Sequence, residues 1–128
     1  MIEQILAFAK AEVGYTEGAK NDNKFAKIAG HANNQPWCMT FVRAMFCKAN
    51  AAGFIMNTAY CPALEAWAIK SKLTVPANEI KRGDVVLFDF TKSGKSQHVG
   101  FATSDFDPET KTIKTIEGNT AAETKKGS

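Results

Sequence analysis

Residues 36–53 read PWCMTFVRAMFCKANAAG, and this stretch decides the helical half of the fold. Pro36 is typical of the first position of a helix, and Gly53 is typical of the position after a helix end. The apolar residues between them recur at the spacing of one helical face, which comprises Cys38, Phe41, Val42, Met45, Ala49 and Ala52. We therefore predict a helix over residues 37–52 that packs this face on a sheet and has Cys38 at its tip.

Helices are also predicted on both sides of this segment. Residues 2–13 predict an amphipathic helix, because apolar residues recur at the helical period at Ile2, Ile5, Leu6, Ala9 and Val13. A short helix follows, for which Asp22 or Asn23 is a suitable cap. Pro62 begins a further helix that continues to Ala68. The first half of the chain is therefore predicted to be helical.

From Val85 onward the sequence becomes rich in β-branched and aromatic residues. Strands are predicted over residues 85–90, 97–103 and 112–117, because these runs are separated by polar, turn-forming segments. Spacers this short favour antiparallel neighbours, since a parallel crossover needs about a dozen residues or more. Helices followed by an antiparallel sheet predict the α+β class, with the N-terminal helices packed on the C-terminal sheet.

The composition is that of one ordinary globular domain. The chain has 128 residues, which predicts a single domain over residues 1–128, with residues 121–128 as a frayed tail. Hydrophobic residues make up 45% and charged residues 23% of the chain, a balance that excludes a disordered protein. We expect a monomer.

Charge and hydropathy argue against two classes of partner. The net charge of +3 is too small for the basic footprint of a nucleic-acid-binding protein. No window approaches the roughly 20 apolar residues that a membrane span needs. Residues 1–10 include an early acidic residue and lack the pattern of a signal peptide. We therefore expect no nucleic-acid binding, no membrane insertion, and synthesis in the cytoplasm.

The position of Cys38 in the first turn of the long helix favours a reactive thiol. Unpaired backbone N–H groups and the positive end of the helix dipole lower a thiol pKa there, and the thiolate is the nucleophile. Cys47 lies on the opposite side of the helix and cannot form a disulfide with Cys38. Because free cysteines are among the most buried residue types, core positions are the better interpretation for Cys47 and Cys61.

His98 is the natural partner of Cys38, because the small residue Gly100 on the same strand face leaves room for the helix tip. Glu117 and Asn119 are two residues apart at the end of the third strand, so both point to the same side. A cysteine, a histidine and a carboxylate or amide together can perform nucleophilic acyl transfer. Structural roles are open for the same residues. His98 could equally well be a core histidine with its hydrogen bonds satisfied, and Glu117 and Asn119 could simply mark the end of a strand and its turn.

Metal-binding patterns do not accompany these residues. The histidines and cysteines lack the paired short spacers of a zinc site. The segment Asn21-Asp22-Asn23 lacks the repeated acidic ligands and the glycine of a calcium loop. His31 lies in a predicted loop and is assigned no role. We predict neither a metal nor another cofactor.

Short motifs occur in a fixed order over residues 10–120. They are EVGYTE at 12–17, NKF at 23–25, PWC at 36–38 followed by FV at 41–42, GDVV at 83–86, HVG at 98–100 and EGN at 117–119. Together they resemble the motifs of the cysteine, histidine-dependent amidohydrolases/peptidases, or CHAP domains, of the papain-like superfamily. These domains are common in bacteriophage endolysins and bacterial wall hydrolases. Any one of the motifs alone would not be specific.

The resemblance implies a papain-like fold and a role for each site residue. It implies that Cys38 is the nucleophile, that His98 is the base, that Glu117 orients His98, and that Asn119 is a fourth polar member. The implied partner is bacterial peptidoglycan, cleaved at an amide of the stem peptide, the cross-bridge or the sugar–peptide link. The protein would then be an endopeptidase or an N-acetylmuramoyl-L-alanine amidase of the phage endolysin type. It would act on the wall after release from the cytoplasm or as a virion component.

Two further residues complete the expected site, and other functions stay open. The oxyanion is expected to be held by the Cys38 backbone N–H and by a side chain just upstream, such as Gln35. Trp37, between them, is expected to contribute to the substrate site. A second hypothesis is a wall-binding or virion structural module that keeps the fold without turnover. A third is acyl transfer to an amine, since a thioester can react with an amine as well as with water.

Overall fold

The computed structural model describes residues 1–118 of the chain. Within this range the helices are α1 (Ile2–Ala11), α2 (Phe25–Ala29), α3 (Cys38–Lys48) and α4 (Cys61–Lys70), and the strands are β1 (Val85–Phe88), β2 (His98–Ala102) and β3 (Thr115–Glu117). Short 3-10 turns lie at Ala19–Asn21, Ala52–Phe54 and Ala77–Glu79. The predicted α+β class is confirmed, with the helices first and the sheet last. Asn119 and the tail predicted over 121–128 lie outside the described residues.

The strands form an antiparallel sheet in the order β1-β2-β3, as predicted. Phe88 of β1 pairs with His98, and Gly100 pairs with Glu117 of β3. Alternate residues of a strand share a face, and paired residues on neighbouring strands point to the same face. His98, Gly100 and Glu117 therefore lie on one face of the sheet.

Helix α3 packs against the central strand β2. Its predicted apolar face is buried over the first two turns, at Cys38, Phe41, Val42 and Met45. All five residues of β2 are buried, and the Phe101 side chain is fully enclosed. Fully burying a large apolar side chain stabilises a fold by about 1.5–3 kcal/mol. Since several such side chains are buried between α3 and β2, moving the helix would cost this energy, and the packing therefore holds the tip of α3 in place relative to β2.

The predicted end of α3 at Ala52 is wrong, because the helix ends at Lys48. Asn50 has a left-handed backbone with φ of 57°, and its N–H donates to the Cys47 carbonyl at 3.1 Å. The N–H of Ala51 donates to the Phe46 carbonyl at 2.8 Å, which completes a Schellman ending. Asn50 therefore takes the terminating position that the sequence suggested for Gly53, and Ala52 falls in the next 3-10 turn.

Helices α1 and α2 begin where the sequence predicts, but α1 is shorter than predicted. Oδ1 of Asn23 accepts hydrogen bonds from the N–H groups of Phe25 and Ala26 at 3.1 and 3.0 Å, so Asn23 caps α2 as predicted. Helix α1 ends at Ala11 instead of residue 13, and Val13 is exposed. The buried stripe of α1 is limited to Ile5, Leu6 and Ala9.

All the strands are shorter than predicted. Strand β1 ends at Phe88 because the N–H of Phe90 donates to the Gln97 side chain, at 2.9 Å, instead of to a neighbouring strand. Strand β3 begins at Thr115, three residues late, because residues 107–112 form a turn closed by the bridge between Asp107 and Thr112. Strand β2 loses one predicted residue at each end.

Candidate active site

Cys38 is the first residue of α3, directly after Pro36 and Trp37. The first hydrogen bond of the helix runs from the Phe41 N–H to the Trp37 carbonyl, at 2.8 Å. The N–H groups of the first turn therefore lack helical partners. The backbone N–H of Met39, one of these groups, helps to lower the pKa of the Cys38 thiol. The residue Cys38 is 7% exposed, so a negative charge on its sulfur faces protein dipoles more than water.

The imidazole of His98 is held by Glu117. Nε2 of His98 lies 2.9 Å from Oε1 of Glu117. The other carboxylate oxygen accepts a hydrogen bond from the Thr115 hydroxyl. Only 2% of the Glu117 side chain is exposed, which strengthens both interactions. Because Nε2 is bound to the carboxylate, Nδ1 is the ring nitrogen that remains for a second partner.

Gly100 provides the space for this contact. A Cβ atom at Gly100 would lie 2.5 Å from Cγ of Glu117 and 2.8 Å from the Ile116 carbonyl oxygen. Real Cβ atoms do not approach other atoms this closely, so any other residue would displace the Glu117 side chain. The room that the sequence suggested for a helix tip is therefore occupied by Glu117 as it reaches towards His98.

The Cys38 and His98 side chains shift each other's protonation. The pKa of Cys38 is lowered to about 5 by a hydrogen bond from Cys61 and, against the effect of burial, by the hydrogen bond and charge of His98. Burial alone would lower the pKa of His98, but hydrogen bonds to Cys38 and Glu117 and their negative charges raise it to about 9. Near neutral pH the two groups therefore form a thiolate–imidazolium pair.

Cys61 is a site residue that the sequence interpretation missed. It is buried, as predicted for a core cysteine, but its sulfur lies 3.9 Å from that of Cys38. A signal was present, because Cys61 precedes Pro62 at a helix start, much as Cys38 follows Pro36. Two helix starts that each carry a thiol thus meet at one point.

Two aromatic rings that the sequence analysis did not assign to the site lie beside His98. The ring centroids of Phe88 and Phe90 lie 5.7 and 6.0 Å from that of the imidazole. The two phenyl rings stack on each other with centroids 5.5 Å apart. Phe90 is 59% exposed, so an apolar surface borders the site on the solvent side.

Comparison with known families agrees with this geometry. A family model for the CHAP domain matches residues 30–119, more than half of the chain. The chain belongs to the CHAP domain family. Members are typically cysteine-dependent amidohydrolases, and membership implies amidase or peptidase activity on peptidoglycan. Comparisons with curated proteins and with solved structures found no match.

The CHAP match begins after α2 and includes Cys38, His98 and Glu117. In the structure His98 interacts with Cys38 and lies 2.9 Å from Glu117. Two motifs of the predicted resemblance, at 12–17 and 23–25, lie before the matched segment. The matched part of the chain therefore contains the whole Cys–His–Glu cluster but not α1.

The other predicted site residues of this CHAP domain are Gln35, Trp37 and Asn119, and the structure describes the first two. Gln35 is exposed just before α3, and its part in an oxyanion site stays a prediction. Trp37 is 6% exposed and donates from Nε1 to Glu17 at 2.6 Å. Its ring stacks on Phe25, with centroids 5.3 Å apart, so most of its surface serves the core. Its contact with substrate stays a prediction, and Asn119 lies outside the described residues.

His31 and Cys47 lie apart from the cluster. The two ring nitrogens of His31 bond the Thr40 hydroxyl and the Asn57 side chain, each at 2.9 Å, which ties a loop to α3. The sequence had suggested a fully buried core position for Cys47, but Cys47 is half-buried.

Across residues 1–118, no three His, Cys, Asp or Glu side chains are grouped as metal ligands. None of the helices in that range is long and apolar enough to cross a membrane.

Proposed function

We propose that this CHAP domain hydrolyses an amide bond of peptidoglycan through a thioester on Cys38. The observation that supports the proposal most is the arrangement of three side chains: a buried thiol at a helix start, an imidazole that lowers its pKa, and a carboxylate 2.9 Å from that imidazole. Each group matches a need of acyl transfer, namely an activated nucleophile, a proton carrier and a group that orients the carrier.

In the proposed mechanism the Cys38 thiolate attacks the scissile carbonyl carbon. The negative charge that develops on the carbonyl oxygen is stabilised by the Cys38 backbone N–H and by the Gln35 side chain. His98 then gives its Nδ1 proton to the leaving amine, and a thioester remains on Cys38. Water attacks the thioester while His98 accepts its proton, and the acid is released. Glu117 holds His98 through Nε2 in both steps.

The proposal covers the setting of the enzyme as well. It takes the whole chain as one catalytic domain of the endolysin type, which acts on the wall after release or as part of a virion. The amide that is cut lies in the stem peptide, in the cross-bridge or at the sugar–peptide link. The order of motifs along the sequence supports this assignment.

Mass spectrometry of digested peptidoglycan tests the proposed function directly. Purified wall is incubated with the wild-type protein and with Cys38→Ala, and soluble fragments are compared. Cleavage adds one water per bond, and the new amine or the freed lactyl carboxylate identifies the bond. Fragments joined to an added amine would indicate acyl transfer instead. Wall binding without fragments by the wild type would contradict the proposal and leave the wall-binding module as the function.

The rate of hydrolysis should depend on pH with two limits. It should rise as the pH passes about 5, where Cys38 loses its proton, and fall as the pH passes about 9, where His98 loses its own. The active form is the ion pair, which exists only between these two values. The measurement is kcat/KM for a soluble muropeptide from pH 4 to 10. A single rise near the ordinary pKa of a thiol, about 8.5, would contradict the proposed ion pair.

A further inference from the structure

A second buried thiol faces the proposed nucleophile. The sulfur atoms of Cys38 and Cys61 are 3.9 Å apart, within the range of a sulfur hydrogen bond. The two residues are the first residues of α3 and α4, so the contact joins two different helix starts. Cys61 is 5% exposed and Cys38 is 7% exposed, so few water molecules can solvate either sulfur. An anion on one sulfur therefore depends on protein donors.

We propose that Cys61 is a positioning residue: its thiol donates a hydrogen bond to the Cys38 thiolate and stabilises that anion in the buried site. The inference rests on the proposed function, in which Cys38 is the nucleophile. The donor role follows from electrostatics, because two thiolates at this distance would repel each other without water to screen them. One sulfur must keep its proton, and that proton lies next to the other sulfur.

The neighbouring charges decide which sulfur keeps the proton. His98 from β2 interacts with Cys38, and Glu117 from β3 acts on the pair through His98. Glu65, one turn along α4 from Cys61, accepts a hydrogen bond from the Ser96 N–H at 3.3 Å. His98 is the cationic group among residues 1–118 whose hydrogen bond and charge lower the pKa of Cys38, so it favours the anion on Cys38. The pKa of Cys61 is raised by its hydrogen bond to Cys38, by burial and by the Cys38 charge.

The inference is tested by titrating Cys38 through its rate of alkylation by iodoacetamide, from pH 4 to 10. The folded chain is kept in a phosphine reductant so that both sulfurs stay reduced, and peptide mapping identifies the labelled cysteine. Cys61→Ala removes the donor and should raise the midpoint of Cys38 labelling by about one pH unit or more. Cys61→Ser keeps a donor of similar shape and should shift the midpoint less than Cys61→Ala. Cys47→Ala, at a half-buried position away from the cluster, is the matched control and should leave the midpoint unchanged.

A reciprocal measurement keeps the inference testable if Cys61→Ala does not fold. In Cys38→Ser the neighbouring anion is absent, so Cys61 should be alkylated at a lower pH than in the wild type. The inference is overturned if Cys61→Ala titrates like the wild type, if Cys61→Ser shifts the midpoint as far as Cys61→Ala, or if Cys61 labelling is the same with and without Cys38. A merely structural role of Cys61 would move none of these midpoints.

The outcome is separable from that of the proposed function. Alkylation reports the ionisation of Cys38 whether or not the protein hydrolyses any substrate. If Cys38→Ala retained wall hydrolysis, the proposed function would fail while the thiol titrations still decided the role of Cys61. If the proposed function holds, the acid limit of kcat/KM in Cys61→Ala should move upward with the alkylation midpoint.

Discussion

Cys38→Ala and His98→Ala are each expected to lower the hydrolysis of purified cell walls by about four orders of magnitude or more. The first substitution removes the atom that forms the thioester, and the second removes the proton carrier together with the charge that keeps Cys38 ionised. Because the two side chains act as one unit, the double variant should be little worse than either single one. The measurement is the loss of turbidity of a wall suspension at fixed protein concentration.

The chain offers a matched control for each of these residues. Cys47→Ala removes a half-buried thiol that lies apart from the cluster, and His31→Ala removes an imidazole that only ties a loop to Thr40 and Asn57. Both controls should retain wall hydrolysis at a temperature where they are folded. Full lysis by Cys38→Ala or by His98→Ala would contradict the proposed roles of these residues.

The cluster of Cys38, His98 and Glu117 could be predicted because each member is placed by a local signal. A proline before an apolar run locates a helix start, and therefore the thiol at its tip. Alternation in the strands locates the faces of His98 and Glu117, and short connections require the strands to be neighbours. Once the helix packs on the central strand, these local positions leave little freedom in where the side chains meet.

The contact between Cys38 and Cys61 could not be predicted in this way. It depends on the angle between α3 and α4, which is set by the irregular segment between them and has no sequence period. The end of α3 shows the same difficulty, since Asn50 and Gly53 are both able to adopt a left-handed backbone. The chain turns at Asn50, and Ile55 is then buried at 7% exposure. Tertiary burial thus decided between two equally suitable local signals.

Glu117→Gln is expected to lower wall hydrolysis by about a hundredfold or more, because the amide keeps the length of the side chain but not its charge. Without that charge the pKa of His98 falls below its wild-type value of about 9. The alkaline limit of kcat/KM should therefore move to lower pH, while a loss of stability alone would lower the rate without moving the limit. Glu109→Gln, at an exposed turn position, is the matched control. An unchanged alkaline limit in Glu117→Gln would contradict the coupling of Glu117 to His98.

The contact between Glu117 and His98 also depends on where the Glu117 carboxylate lies. Gly100→Ala should move this carboxylate without removing its charge. The added methyl group would lie 2.5 Å from Cγ of Glu117, so the side chain must move even though its charge remains. If the 2.9 Å contact with His98 is what raises the pKa of the imidazole, Gly100→Ala should shift the alkaline limit in the same direction as Glu117→Gln. Gly53→Ala, where a Cβ meets no atom within 4 Å, should leave both rate and limit unchanged. The methyl group would also lie 2.8 Å from the Ile116 carbonyl oxygen, so the pairing of β2 with β3 must adjust as well. A wild-type limit in Gly100→Ala would mean that the charge of Glu117, which remains in this variant, raises the pKa of His98 without the 2.9 Å contact.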